Sequence, residues 1–310
     1  MIAVLSEVHG NLEAFEAVSK TLESYDSIQK LVCLGDVLGY GPNPNEVVDL
    51  FRRLEERFEI AYCMGNHDAG ALGLCEFIDL SDPDDIVIVK TKLGLDSIAQ
   101  IIRALSDPKN RTFSPVKKTA RDSNRWTKAT LSDASRQFLA ERLKESLKLD
   151  ETTLCVHGSP RGSVYDYVRD QKYAAKAFES PAMTGISICF VGHTHIPAIW
   201  RLRKEDRMSY AGSVILLAPP DRITPGTSPL ELDTGRNCYI VNVGAVGQPR
   251  DGNPRACFVL YDPDAKTVEY VRVPYDVETT KKKIVSVGLP EELANRLGSA
   301  DAEPGVVQDQ

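Results

Sequence analysis

The sequence predicts an α/β fold of the mixed α+β kind, and three observations predict it. Apolar strand-like runs alternate with amphipathic helical stretches from Ile2 to Met64, the order that builds a parallel sheet. From Ile186 onward the pattern turns to closely spaced strands, which predicts another sheet rather than indefinite growth of the first. Five apolar runs end abruptly in His, Asp, Glu, Asn or Gly, and the ligands of open α/β sheets gather beyond the carboxyl ends of their strands.

The first run, Ile2 to Leu5, leads into Ser6-Glu7-Val8-His9-Gly10-Asn11, and Asn11 opens a helix with Leu12, Phe15, Val18 and Leu22 on one face. Lys30 to Gly35 leads into Asp36-Val37-Leu38-Gly39-Tyr40-Gly41-Pro42, a loop too rich in glycine to be regular. Asn43 caps the next helix, with Pro44 at its first position, Glu46 placed to reach back as a capping-box variant, and Val47, Leu50, Phe51 and Leu54 as its apolar face. Ile60 to Met64 then delivers Gly65-Asn66-His67-Asp68.

From about 70 to 150 the texture is helical and carries no chemistry, a cap-like insertion. Ile98, Ile101, Ile102 and Leu105 mark one helical face, and Leu139, Leu143 and Leu147 another. Between them Lys109, Arg111, Lys117, Lys118, Arg121, Arg125 and Lys128 face only Asp107 and Asp122. Such a run reads as a solvated surface, or else as a cap that attracts an anionic substrate.

Thr153 to Val156 leads into His157-Gly158, and Ile186 to Val191 into Gly192-His193-Thr194-His195. Ile199 to Leu202 and Ser209 to Leu217 read as strands, Pro219 to Pro229 as a loop, and Asn237 to Val243 as a strand running into Gly244-Ala245-Val246-Gly247-Gln248-Pro249-Arg250. Ala256 to Tyr261 and Thr267 to Val273 form a hairpin around Asp262-Pro263-Asp264. The expected organisation is one domain over 1–298 and a disordered tail over 299–310.

Composition narrows the function. A net charge of -7 and a pI near 5.4 disfavour nucleic acid and anionic membrane, which both need a positive surface. No apolar run approaches the roughly 20 residues of a spanning helix, and a strand starting at Ile2 leaves no room for a signal peptide, so a cytoplasmic location is expected. The seven cysteines are odd in number and unpaired in spacing; Cys33, Cys63, Cys155, Cys189 and Cys257 lie inside apolar runs and read as buried hydrophobes of a reducing compartment. Nothing in the chain specifies an oligomeric state.

All five histidines lie in the five strand-end segments, beside Asp, Glu, Asn and Gly. Glu7 and His9 are two apart, so on an extended chain they leave the same face and hold one cation; His193 and His195 share that spacing. Asp36 has two oxygens with which to bridge a cation pair, and Asn66 and His157 complete the second site. Seven O and N ligands without thiolate suit two divalent ions of Mn, Fe, Zn, Co or Ni. Such a pair lowers the pKa of water to about 7 and favours an anionic phosphoester substrate, while His67, its ring held by Asp68, protonates the leaving group. Arg161 and Arg250 follow strand-end loops and are candidates to grip phosphate oxygens, against a plain reading as surface ion pairs.

In order along the chain, Glu7-Val8-His9, Gly35-Asp36, Gly65-Asn66-His67-Asp68, His157 and Gly192-His193-Thr194-His195 resemble the motifs of the calcineurin-like metallophosphoesterase superfamily. The loops Asp36 to Pro42, His157 to Arg161 and Val246 to Gly252 are similar to those of a branch of small prokaryotic phosphodiesterase-like members. The resemblance covers most of residues 1–290 and implies a four-layer αββα sandwich, two β-sheets flanked by helices. By the family's pattern the first metal takes Glu7, His9, Asp36 and His195, and the second takes Asp36, Asn66, His157 and His193.

One position departs from that pattern, since the family's first ligand is aspartate and this chain has Glu7. The extra methylene pushes the carboxylate outward by roughly 1.5 Å, so either the surroundings accommodate it or the first site is weak; accommodation is expected because every other motif residue is intact. The activity implied is a phosphodiesterase or phosphatase acting on a small phosphoester such as a nucleotide. Two rivals stand beside it: a protein-binding scaffold with a weakened metal site, and a nuclease, for which only Lys109 to Lys128 offers a basic groove.

Overall fold

The computed structural model describes residues 1–105, 112–208, 214–218 and 229–298. The chain opens as alternating strands and helices, β1 (Ile2–Leu5), α1 (Leu12–Glu23), β2 (Lys30–Cys33), α2 (Pro44–Leu54), β3 (Glu59–Cys63) and α3 (Asn66–Ala71). The three strands pair in parallel and in sequence order. Asn11 caps α1 as expected, its side chain accepting the Ala14 N–H at 3.1 Å. The capping box expected for α2 does not form: Asn43 makes no side-chain cap bond, and the Asn43 N–H that Glu46 was to reach is already donated to Gly10 O at 2.9 Å.

The stretch after Ala71 is less uniformly helical than its composition suggests. β4 (Glu76–Ile78) and β5 (Phe113–Pro115) form a small parallel pair, accompanied by α4 (Pro83–Leu93), α5 (Ile98–Leu105), α6 (Lys118–Thr130) and α7 (Asp133–Arg142). Only Ile101 of the α5 face is fully buried; Ile98 is 54% exposed. Leu147 does not continue α7. The helix stops at Arg142, β6 (Leu143–Lys144) pairs with β3, and Ser146 to Asp150 alternates apolar and polar residues with a period of two, forming β7.

The remaining elements are β8 (Thr153–Val156), α8 (Gln171–Phe178), β9 (Ile188–Val191), β10 (Ala198–Arg203), β11 (Ile215–Ala218), β12 (Leu230–Glu231), β13 (Asn237–Asn242), β14 (Ala256–Asp262), β15 (Thr267–Val273), α9 (Val277–Ser286) and α10 (Glu291–Asn295). A second sheet does form, in the order β11-β10-β13-β9-β8-β7, but it does not collect all the late strands. The β14–β15 hairpin returns to the first sheet, where β14 lies antiparallel to β1, giving the order β12-β15-β14-β1-β2-β3-β6. Residues 219–228 of the expected loop, the first part of the strand expected from Ser209, Lys109, Arg111 and the expected tail lie outside the described residues.

Three apolar layers define the sandwich. Phe15, Val18, Val47, Phe51 and Phe138 pack α1, α2 and α7 on the outer face of the first sheet. Val4, Val32, Phe190, Val241, Val259 and Tyr261 fill the space between the two sheets. Ala174, Phe178, Cys189 and Ile240 join α8 to the outer face of the second sheet. The fold is therefore the expected αββα arrangement. All seven cysteines are buried as free thiols, and no described helix is long and apolar enough to cross a membrane.

Candidate metal centre

Five of the candidate side chains stand just past the strand ends on backbone that L-residues rarely adopt. Glu7 (φ 59°), His9 (φ 51°), Asp36 (φ 52°), His193 (φ 65°) and His195 (φ 59°) all occupy the left-handed region. Glu7 and His9 thus converge through two left-handed residues and not by alternation along an extended strand, which corrects the expectation from spacing. The strain is held by a backbone ladder in which Glu7 N–H donates to Gly35 O at 3.1 Å and His9 N–H to Asp36 O at 2.9 Å. Two glycines make room for the carboxylates. A Cβ on Gly65 would lie 2.0 Å from Asp36 Oδ1, and one on Gly192 would lie 2.8 Å from Glu7 Oε1.

Two groups of donor atoms result. In the first, Glu7 Oε2 lies 3.1 Å from His9 Nε2 and 3.0 Å from His195 Nε2, and the two Nε2 atoms are 3.3 Å apart. In the second, His157 Nε2 lies 3.1 Å from both Asn66 Oδ1 and His193 Nδ1. Asp36 Oδ2 stands between the groups, 3.7 Å from His9 Nε2 and 3.6 Å from His157 Nε2, while its Oδ1 accepts the His67 N–H at 2.9 Å.

The surroundings fix which atoms face inward. The Nδ1–H groups of His9, His157 and His195 donate to the carbonyls of Leu38, Leu34 and Gln248 at 2.9, 3.0 and 2.7 Å. In the neutral rings every Nε2 is then a bare lone pair. Lone pairs of His9, His195 and Glu7 directed at one another, with no hydrogen between them, are an arrangement that a cation satisfies.

Electrostatics point the same way. Burial, then Glu7 and Asp68, push the Asp36 carboxyl well above its usual range. Burial also acts to raise Glu7, but the His195 and His157 rings outweigh it and hold Glu7 low. Burial, with Arg250 adding to it, pulls His195 down to about 3, and burial pulls His157 and His193 below their ordinary value. Neutral imidazoles crowded on buried carboxylates are poised for metal, whose charge relieves both. The structure thus brings together Glu7, His9, Asp36, Asn66, His157, His193 and His195, and the donor set fits one or two divalent ions.

His67 is the histidine that belongs to neither group. Its ring packs against Tyr40, His9 and Phe77, with centroids 4.3, 5.0 and 5.1 Å away, and its Nδ1 is buried without a hydrogen-bond partner among the described residues. Asp68 does not hold that ring, contrary to expectation. Its oxygens accept the backbone N–H groups of Asp36 (2.8 Å), Leu38 (3.0 Å) and Gly65 (3.0 Å), so Asp68 pins the loops that carry the ligands. Packing, and Asn124 Nδ2 donating to His67 O at 3.1 Å, fix His67 instead.

The two candidate arginines part company. Arg161 is exposed, lies 3.5 Å from Asp166 and touches no residue of the donor groups among the described residues, which is the plain surface reading. Arg250 has no carboxylate partner among the described residues; it donates to Gln248 Oε1 and lies over Tyr40, 5.7 Å from the ring centre. Among the described residues of the basic stretch, Arg121 is buried against Asp82, Asp85 and Asp122, and Arg125 reaches Asp85 at 2.8 Å. Sequence reasoning missed Tyr167, whose ring stacks on His193 at 3.9 Å, and the α6 residue Ser123, which accepts the Tyr40 N–H at 2.7 Å. Neither lies in a strand-end segment.

Residues 1–197 match the calcineurin-like phosphoesterase family. An uncharacterized protein of Methanocaldococcus jannaschii is 31% identical over 301 residues, covering 96% of this chain and 97% of its own. The crystal structure of a metallophosphoesterase from Sphaerobacter thermophilus is 32% identical with a TM-score of 0.67, covering 96% of this chain and 99% of that one. A hypothetical protein from Pyrococcus horikoshii, 20% identical over 97% of this chain and 99% of that one, shares the fold with a TM-score of 0.63. With its ordered histidine and carboxylate motifs gathered into a metal-competent centre, this chain belongs to the calcineurin-like phosphoesterases, a family of metal-dependent phosphoesterases.

Proposed function

We propose that this chain is a dinuclear metal-dependent phosphodiesterase acting on a small phosphoester such as a nucleotide, with His67 protonating the leaving group. The observation that carries the reading is the position of Asp36 Oδ2, 3.7 Å from one donor group's Nε2 and 3.6 Å from the other's. One carboxylate oxygen shared by the two donor groups supports a pair of ions and not one.

Two divalent ions held there would supply Lewis-acid charge and activated water at neutral pH. The chain's own residues do the rest. His9, His157 and His195, tied through Nδ1 to backbone carbonyls, present fixed lone pairs, and Asp68 holds the loops that carry Asp36 and Gly65 in register. His67 stands beside the first group, its ring 5.0 Å from that of His9, without joining either. Burial, and then His9, pull its ring well below the ordinary value, so once protonated against an anionic ester it gives its proton up readily. Arg250, without an acidic partner among the described residues, adds positive charge on the side of Tyr40.

The test is a panel of phosphomonoesters, phosphodiesters and nucleotides assayed with Mn, Fe, Zn, Co and Ni in turn, with metal content measured on the same samples. Two ions per chain and preferential turnover of a bis-ester are expected. A single ion per chain under metal-replete conditions, or no turnover across the panel, would overturn it.

A further inference from the structure

The helix that carries His67 is too short to aim it unaided. α3 has six residues, where an isolated helix needs roughly 12 to 15 to persist in water, so its neighbours set its direction. They come from two sides. On one, a Cβ on Gly39 would lie 2.5 Å from His67 Nδ1, and the Tyr40 ring follows at 4.3 Å between centres. On the other stand elements that follow Ala71: Phe77 of β4 meets the ring edge-on at 5.1 Å and 77°, and α6 packs against α3.

Two consecutive residues of α6 reach both sides. Ser123 Oγ accepts the Tyr40 N–H at 2.7 Å, and Asn124 Nδ2 donates to His67 O at 3.1 Å. Both side chains are buried. α6 is itself fixed at two further places, because Arg121 pairs with Asp82 and Asp85 at the start of α4, and Ala120 and Trp126 pack with Ile284 of α9 and Leu293 of α10.

Core packing accounts for Phe77 but not for Gly70. This residue lies within α3, where alanine is the better helix former. A Cβ there would stand 2.7 Å from Asn124 Oδ1 and 2.9 Å from its Nδ2. The glycine keeps room for an amide, and that amide is directed at the His67 carbonyl.

We propose that Asn124 and Ser123 are positioning residues for His67: through α6 they set where the imidazole stands, Asn124 by holding its backbone and Ser123 by holding the Tyr40 loop against its ring. This deepens the phosphoesterase reading above and rests on it for the step His67 performs. A ring misplaced by about an ångström from a leaving-group oxygen loses on the order of 10²-fold in rate. Asn66 and Asp68 flank His67 in the same turn, but Asp68 pins that turn through the N–H groups of Asp36, Leu38 and Gly65, independently of α6.

The experiment uses the full zinc-loaded chain and two readouts. One is the His67 ring signal in NMR spectra of histidine-labelled protein, assigned with His67→Gln; the other is hydrolysis of phosphodiesters with good and poor leaving groups. Asn124→Ala and Ser123→Ala remove the two hydrogen bonds singly, and Gly70→Ala places a methyl where the amide stands while favouring the helix. Each is expected to move the His67 signal, with the other four histidine signals and the zinc content in place. Each should also lower kcat for poor leaving groups about 10- to 100-fold with KM within about twofold, and slow nitrophenyl esters less. Gly70→Ala should add little to Asn124→Ala, since it acts through that side chain. An unmoved His67 signal, additive losses in the double variant, or equal slowing of both ester classes with zinc lost would overturn the positioning role. Wild-type protein that hydrolyses no ester, while the His67 signal alone moves in the variants, would keep the positioning role and sink the phosphoesterase reading. If Asn124→Ala does not fold, the signal in Gly70→Ala decides the matter by the same criterion.

Discussion

Glu7 Oε1 accepts the backbone N–H of His193 at 2.5 Å, joining the first strand-end loop to the fourth histidine across both sheets. Ser6 Oγ donates to the same oxygen at 3.0 Å, leaving Oε2 to face His9 and His195. The longer side chain is thus accommodated by division of labour: one oxygen fastens the His193 loop and the other enters the first donor group. An aspartate, shorter by roughly 1.5 Å, cannot reach both. Glu7→Asp is expected to lower affinity for the first ion about tenfold or more, read as metal retained after dialysis against graded chelator. Full retention would mean that the His193 contact does not matter to the site.

His67 should behave as an acid and not as a ligand. His67→Ala is expected to keep both ions yet slow hydrolysis of esters with poor leaving groups by roughly 10² to 10⁴-fold, and to slow nitrophenyl esters much less. Equal losses on both substrate classes would remove His67 from proton transfer, and loss of an ion would assign it to the metal.

Much of this centre was legible in the sequence because each candidate donor follows closely on its strand, so chain order alone lines the seven residues along two sheet ends. The misreadings share one cause, partners chosen by tertiary approach. Asp68 looked like the orienter of its neighbour His67, but the N–H groups of Asp36 and Leu38 reach its oxygens first. Asn43 looked like a boxed cap until Gly10 O took the N–H the box requires. The left-handed backbone at Glu7 and His9 leaves no mark in residue type. The β14–β15 hairpin showed its turn but not its destination, since an antiparallel place beside β1 depends on the whole sheet.

Helices α4 and α6 are joined by a buried carboxylate. Asp85, 2% exposed, receives Arg121 Nη1 at 2.5 Å, Arg125 Nη2 at 2.8 Å and the Asp79 N–H at 2.8 Å. Burial opposes its ionisation, but the Asp79 amide and Arg121 prevail and hold its pKa below the ordinary carboxylate value. A depressed carboxyl contributes stability that is complete above the unfolded value of about 4 and is lost as pH falls through the lower folded value. The α4–α6 junction is therefore expected to loosen below about pH 4, seen as a change in Trp126 fluorescence from α6, and Asp85→Asn should leave it loosened at neutral pH as well, with the acid change flattened. Identical profiles for the two proteins would take the anchor away from Asp85.

The loop that supports His195 has its own anchor in the pair Arg272–Asp251, whose side chains are both 1% exposed. Gln248 O on this loop accepts the His195 Nδ1–H at 2.7 Å, and Arg250 N–H donates to His195 O at 3.2 Å, so the pair reaches the first donor group through a short run of backbone. Replacing Arg272 by Met leaves Asp251 buried without its cation, a change that typically costs about 3–5 kcal/mol. Arg272→Met is thus expected to lower Tm markedly and, through the released loop, to weaken the first ion. The double change Arg272→Met with Asp251→Leu removes both charges and should recover most of the Tm without restoring metal affinity, because the loop stays untethered. If the double variant regained full metal content, the pair would serve stability alone and the His195 carbonyl contact would be held by the rest of the loop.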